Sequence, residues 1–245
     1  MPNTHIPAVG ARIAILTGAG ISKESGLETF RDADGIWAKV RIEDVATPEA
    51  FARDPDRVHA FYNMRRAKHR SSHVEPNAAH AALARLETEW PGDVTVITQN
   101  VDTLHERAGS TNLLHMHGVH SQARCNSCGL EVPWIEDLSV RDVCAGCGEA
   151  GGLRPNVVWF GEMPRYLDEI QSALAACDLF ISIGTSGAVY PAAGFVALVR
   201  KLDRAHTVEL NLEPSHGARL FAEGRYGPAT EIVPAYVDAL LNGGA

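Results

Sequence analysis

Four cysteines stand in two pairs, Cys125-x2-Cys128 and Cys144-x2-Cys147, with fifteen residues between the pairs. Thiolates spaced this way leave one tight knuckle toward the same ion, and Gly129, Gly146 and Gly148 permit the turns. Four such ligands close a tetrahedral Zn²⁺ site and leave no position for water or substrate, so the implied metal is structural. Two disulfides are the competing use of these residues, and they need an oxidising compartment. The fifth cysteine, Cys177, stands just before the apolar run 179–183 and reads as a small core residue.

A second chemistry gathers where apolar runs end. Ile13-Ala14-Ile15-Leu16 leads into Gly18-Ala19-Gly20, a place where small residues let a backbone approach a pyrophosphate. The dinucleotide fingerprint wants two residues before its third glycine, whereas five separate Gly20 from Gly26, so a tight turn without ligand explains it equally. Phe30, Arg31, Asp32 and Trp37 follow without helical periodicity, as in a loop that covers a ligand. Four more strand-like runs end in polar clusters: Gln99-Asn100-Val101-Asp102, His115-Met116-His117, Gly184-Thr185-Ser186 and Asn211-Leu212-Glu213. One such cluster is an ordinary cap or loop. Five of them imply a composite site at the carboxyl edge of a parallel sheet. His117 taken alone is either a structural hydrogen-bonder or a base.

The elements that must position these groups follow from periodicity. Strand-like runs at about 12–17, 94–98, 112–116, 179–183, 207–210 and 230–233 alternate with helical patterns near 76–89, 165–176, 191–204 and 234–241. Pro76, Pro164, Pro191 and Pro234 stand near helix starts. The alternation predicts an α/β fold, a Rossmann-like parallel sheet covered on both faces. Residues 33–75, with an Ala46-Thr47-Pro48 turn and a helix over 55–70, and residues 119–156, with the cysteines, interrupt it. They are expected to form a small zinc-binding domain from two insertions. The rest, 10–32, 76–118 and 157–245, is expected to be the Rossmann-like part of a single domain over 1–245. In the 55–70 helix Val58, Phe61, Tyr62 and Arg65 share one face, while the basic run Arg65–Arg70 otherwise reads as solvated. With 45% hydrophobic and 21% charged residues in 245, and a net charge of −8, the chain is suited to a globular domain and not to a nucleic-acid surface. No run is long enough to span a bilayer, and the start MPNTHIPAVG lacks a signal-peptide pattern, so a cytoplasmic address is expected.

Taken together, GAGISKESG with TFR, TQNVD, HMHG, the paired CxxC motifs, RPNVVWFGE, GTSGAVYPAA and NLEP, in this order over residues 10–240, resemble the sirtuin family of NAD-dependent protein lysine deacylases. The resemblance implies NAD as co-substrate, structural zinc on Cys125, Cys128, Cys144 and Cys147, and acylated lysines of proteins or peptides as partners. In the family's chemistry the acyl oxygen attacks C1′ of the nicotinamide ribose. A neutral imidazole, here His117, then takes a proton from a ribose hydroxyl. Carried over by motif, Gly18, Ala19, Gly20, Glu24, Phe30, Arg31 and Trp37 form the cofactor loop. Gln99, Asn100, Val101 and Asp102 line the nicotinamide pocket, and Gly184, Thr185 and Ser186 meet phosphate. Asn211, Leu212 and Glu213 hold the adenosine ribose, and Ala229 belongs to the segment over adenine. Val158, Trp159, Phe160, Gly161 and Glu162 would pair with an extended substrate. Tyr62 and Arg65 resemble the class III signature for succinyl, malonyl and glutaryl groups, with Ala46 leaving room for the longer chain. Lys23 departs from the family's alanine. Mono-ADP-ribosyl transfer, or non-catalytic sensing of NAD or acyl-lysine, are the other readings of the same motifs.

Overall fold

The structure, a computed structural model, describes residues 5–29 and 40–243. Among them, strands β1 (Ile13–Thr17), β2 (Val94–Thr98), β3 (Leu113–His115), β7 (Leu179–Ile183), β8 (His206–Asn211) and β9 (Glu223–Tyr226) form one parallel sheet in the order β3-β2-β1-β7-β8-β9. Every residue of β1 and β7 is buried, which is why both read as unbroken apolar runs and not as alternations. One face is covered by α4 (Ala78–Glu89) and α8 (Ala229–Gly243), whose Leu83, Leu86, Val233 and Val237 pack on Ile13, Ile15 and Ile181. The other is covered by α6 (Leu167–Ala176) and α7 (Phe195–Leu202), with Ile170, Leu174, Phe195 and Val199 on Ala14, Leu16 and Phe180. Cys177 is buried in that second cluster, as expected. The chain leaves β1 toward β2 on one side and returns to β7 on the other, so a crevice opens at their carboxyl ends.

The expected sixth strand over 230–233 is a helix. The run Thr230-Glu231-Ile232-Val233, rich in β-branched residues, lies in the first turns of α8, whose inward stripe buries Val233, Tyr236, Val237 and Leu240. Pro234 therefore sits inside this helix and not at its start. The edge strand is Glu223–Tyr226, whose EGRY sequence carries no strand-like apolar run. Elsewhere the helix starts follow local capping chemistry. Asn77 Oδ1 accepts from the N–H groups of Ala79 and His80, and Thr47 Oγ1 accepts from Ala50 N at the start of α2 (Pro48–Arg53).

Beside the main sheet, β4 (Gly118–Cys125) pairs antiparallel with β5 (Glu131–Pro133) and β6 (Leu153–Val157). Helix α3 (Pro55–His69) lies against this unit, where Asn63 exchanges two 2.9 Å hydrogen bonds with the backbone of Leu138. Val58, Phe61 and Tyr62 of α3 cluster with Val45, Phe51, Val157 and Trp159. The basic run is not solvated throughout. Arg66 is 2% exposed, with Nε donating to His120 O and NH1 to Asn63 Oδ1 and Glu136 O. Three carbonyl or amide partners make that burial possible where sequence spacing alone reads a surface.

Candidate active site

The turn after β1 lies against the turn after β7. Gly18 N donates to Ile183 O at 3.0 Å and Gly20 N to Gly184 O at 2.9 Å. Gly184 has φ +63°, and a Cβ there would stand 2.4 Å from Ile21 N, so the two backbones meet only because both turns carry glycine. The 3-10 helix Ala19–Ser25 follows, and Ser22 becomes a buried junction. Its Oγ donates to Asp102 Oδ2 at 3.0 Å and accepts from Asn100 Nδ2 at 3.1 Å. Asp102 also accepts from Leu104 N, and burial raises its pKa against these two donors. Asn211 Nδ2 reaches across to Thr185 O at 2.7 Å. Glu24 accepts from the backbone and hydroxyl of Thr230, so a carboxylate sits at the positive N-terminus of α8.

His117 stands between β3 and β4. Its backbone O accepts from Val158 N at 2.8 Å, and its Nδ1 lies 3.0 Å from Gln99 O. A carbonyl can only accept, so Nδ1 carries the proton and a neutral ring keeps its lone pair on Nε2. Burial lowers the His117 pKa, partly offset by the Gln99 bond, which favours that neutral form. The next residue, Gly118, has φ +79°, and a Cβ on it would stand 2.1 Å from Asn156 O. The glycine of the His-Gly pair is thus required by the β4–β6 contact. His115 has both ring nitrogens engaged, by Asn100 O and by Glu106 Oε1. Burial opposes its charge, but Glu106 and that carbonyl win and raise its pKa.

Every described residue that the motifs assign to cofactor, acyl group or substrate, from Gly18 to Ala229, lines one cleft of about 940 Å³ together with His117. Phe30, Arg31 and Trp37 lie outside the described residues. Burial pushes the Tyr62 hydroxyl up to about 12, opposed by the Arg65 charge. Burial also lowers the Arg65 pKa, opposed by Tyr62, Glu28 and Asp102. Ala46 is buried and its carbonyl accepts from Phe160 N at 3.0 Å, so the short side chain and the 157–162 segment share a wall. Glu162 is bound at both oxygens by Arg154, at 2.7 and 2.9 Å, and also accepts from Trp159 N. The four cysteine sulfurs all lie within 4.8 Å of one another, with Cys125–Cys147 at 3.7 Å and Cys128–Cys144 at 3.6 Å. A tetrahedron with Zn–S of about 2.3 Å has edges of about 3.8 Å, so the residues present fit the ion.

The sequence matches the model of the Sir2 family over residues 18–191. This chain belongs to the Sir2 family. It is 55% identical over 232 residues to an NAD-dependent protein deacylase of Escherichia coli O157:H7, covering 95% of this chain and 85% of that protein. A solved Sir2 homolog–NAD complex superimposes with a TM-score of 0.86 at 35% identity, over 99% of this chain and 98% of the other. A Sir2–p53 peptide–NAD⁺ structure gives 0.77 at 28% identity, over 95% and 93%.

Several residues in or behind this Sir2 cleft escaped sequence reasoning. Ser22 lies inside the first glycine motif, yet only the tertiary structure brings Asp102 and Asn100 to it. Arg154 is buried, stacks 3.3 Å over the Trp159 ring and holds Glu162 and Val157 O. Its signal was the Arg and Glu at either end of RPNVVWFGE. His69 and His120 also line the cleft, and their spacing carried no signal.

Proposed function

We propose that this chain is an NAD-dependent protein lysine deacylase whose acyl pocket takes succinyl and malonyl groups as well as acetyl. The observation that carries the proposal is His117, with Nδ1 tied to Gln99 O, in one cleft with the apposed glycine turns and with Tyr62 and Arg65. The deacylase named in Escherichia coli and the NAD complex of a Sir2 homolog support the reaction. The p53 peptide complex supports proteins as substrates. No described helix is long and apolar enough to cross a membrane. Cytoplasmic residence belongs to the same reading, as do the division into a Rossmann-like part with two insertions and the absence of direct nucleic-acid binding.

In this reading the glycine turns at 18–20 and 184–186 receive the pyrophosphate, and Asn211 and Glu213 the adenosine ribose. Gln99, Asn100 and Asp102 fix the nicotinamide end so that C1′ faces the acyl oxygen, a step that depends on positioning. His117 Nε2 takes the ribose hydroxyl proton in the following step. Tyr62 and Arg65 receive the distal carboxylate through charge-assisted hydrogen bonds. The cysteines hold zinc, which supplies no reactive position. The test is a panel of acetyl-, malonyl- and succinyl-lysine peptides with NAD, read by mass spectrometry. Peptide-dependent nicotinamide release with matching O-acyl-ADP-ribose is expected. Nicotinamide release without deacylated peptide would instead indicate transfer of ADP-ribose to another acceptor.

A further inference from the structure

Two histidines on the cleft wall, His69 and His120, have no part in the chemistry above. They come from the last turn of α3 and from β4, and their rings meet edge to face with centroids 4.7 Å apart. The Tyr62 ring lies 5.5 Å from that of His120. His120 is 2% exposed, and neither ring nitrogen has a hydrogen-bond partner among the described residues. Nδ1 of His69 is likewise buried and unpartnered. The His120 backbone is anchored at both ends, with N donating to Val101 O at 2.8 Å and O accepting from Arg66 Nε at 3.0 Å. The ring is thus presented from a fixed point beside the nicotinamide strand end and the buried Arg66.

A buried imidazole always carries at least one N–H, and leaving it without an acceptor is costly. Burial, then the neighbouring His69, Arg65 and Arg66, lower the His120 pKa; burial, Arg65, Lys68 and Arg66 take His69 down to about 3. Both rings are therefore neutral, each with one donor and one acceptor. An acyl group ending in a methyl would leave the His120 donor, and a proton on His69 Nδ1, unsatisfied. A carboxylate has about four acceptor sites and can serve an arginine fork and further donors together. His59, buried with two unpartnered nitrogens of its own, lies against Phe51 and does not line the cleft.

We propose that His69 and His120 are specificity-determining residues of the acyl pocket, whose ring N–H groups complete, with Tyr62 and Arg65, the binding of the terminal carboxylate of a dicarboxylic acyl-lysine. This rests on the acidic-acyl reading of Tyr62 and Arg65, and the test keeps the two apart. Steady-state kinetics at saturating NAD compare acetyl-, succinyl- and glutaryl-lysine peptides for His69→Leu, His120→Leu, His120→Asn and Arg65→Met, with a thermal midpoint for each. Leucine removes the donor at similar volume, and asparagine keeps a neutral donor. Each leucine variant should lose about tenfold in kcat/KM on succinyl and glutaryl peptides, chiefly through KM, and stay within about twofold on acetyl. His120→Asn should recover most of that loss. Equal losses on all three peptides would overturn the proposal, because the histidines would then support the fold alone. Unchanged succinyl and glutaryl turnover in the leucine variants, with Arg65→Met impaired, would overturn it and leave the Arg65 reading standing. If Arg65→Met were also neutral on acidic acyl groups, both would fall. Where His120→Leu does not fold, His69→Leu decides.

Discussion

His115 and His117 lie two residues apart, and what their ring nitrogens meet separates them. Glu106 and Asn100 O occupy both nitrogens of His115, whereas Gln99 O occupies only Nδ1 of His117. His117→Tyr should leave a folded protein and lower deacylation by about 10²–10⁴-fold, the range for loss of a general base. Near-normal turnover by that variant would remove His117 from the chemistry. Because burial lowers the His117 pKa below 6.5, the neutral ring that the proposed base requires prevails above that pH. The acid limb of the kcat profile should therefore lie below pH 6.5, with rates falling as pH drops through it; a limb centred above 7 would contradict the assignment. Arg65→Met should cut desuccinylation roughly tenfold to a hundredfold, the worth of a charge-assisted hydrogen bond, and spare deacetylation. Equal loss on both substrates would make Arg65 a residue of the fold.

At the scale of elements, the crevice at the carboxyl ends of β1 and β7 depends on two turns touching. Gly184→Ala puts a Cβ into Ile21 N and Gly20 at a positive φ, and neither backbone can yield without moving β1 against β7. Expected results are a lower thermal midpoint and loss of ADP-ribose binding by calorimetry. A variant with unchanged affinity would show that the turns need not meet. The same crevice is closed on a third side by the start of α8, where Glu24 holds Thr230. The helix that replaced the expected strand over 230–233 thus brings Ala229 to the cleft wall.

For the molecule as a whole, the β5-β4-β6 unit and α3 support the Tyr62–Arg65 side of the cleft from outside the main sheet. Cys125 ends β4, and the 157–162 wall continues directly from β6. Verified zinc removal, or Cys144→Ser, should unfold this unit, lower the thermal midpoint and abolish turnover indirectly. Full activity in a stable metal-free protein would exclude a structural ion. Buried neutral histidines make a second whole-molecule prediction. Burial takes His69 and His105 down to about 3 and His80 to about 4, so below pH 6.5 the unfolded chain binds protons that the native state refuses. Above pH 6.5 both states are neutral and these groups leave stability unchanged. Below it they destabilise the native state increasingly as pH falls toward their native values of about 3 to 4, by up to about 1.4 kcal/mol per group per pH unit. The urea midpoint of the zinc-saturated protein should be lower at pH 5.5 than at 7.5. Equal midpoints would mean these rings take up protons in place.

Local chemistry wrote much of this into the chain. Apolar runs placed five strands of the main sheet because a strand buried on both faces needs apolar residues throughout. Helical spacing placed α3, spacing with Pro76 placed α4, and CxxC spacing brought four sulfurs within reach of one ion. The polar strand ends marked one cleft because a parallel register brings them to one edge. Contacts between distant segments were not legible in this way. A strand over 230–233 and a solvated Arg66 were reasonable from propensity and charge. Packing of Val233 and Tyr236 against α4 and the main sheet decided the first, and acceptors from His120, Asn63 and Glu136 decided the second. Ser22 beneath Asp102, Arg154 across Trp159 and the His69–His120 pair depend likewise on partners far away in sequence. Spacing along the chain reports a residue's own periodicity, whereas a buried polar group is defined by whatever the fold places beside it.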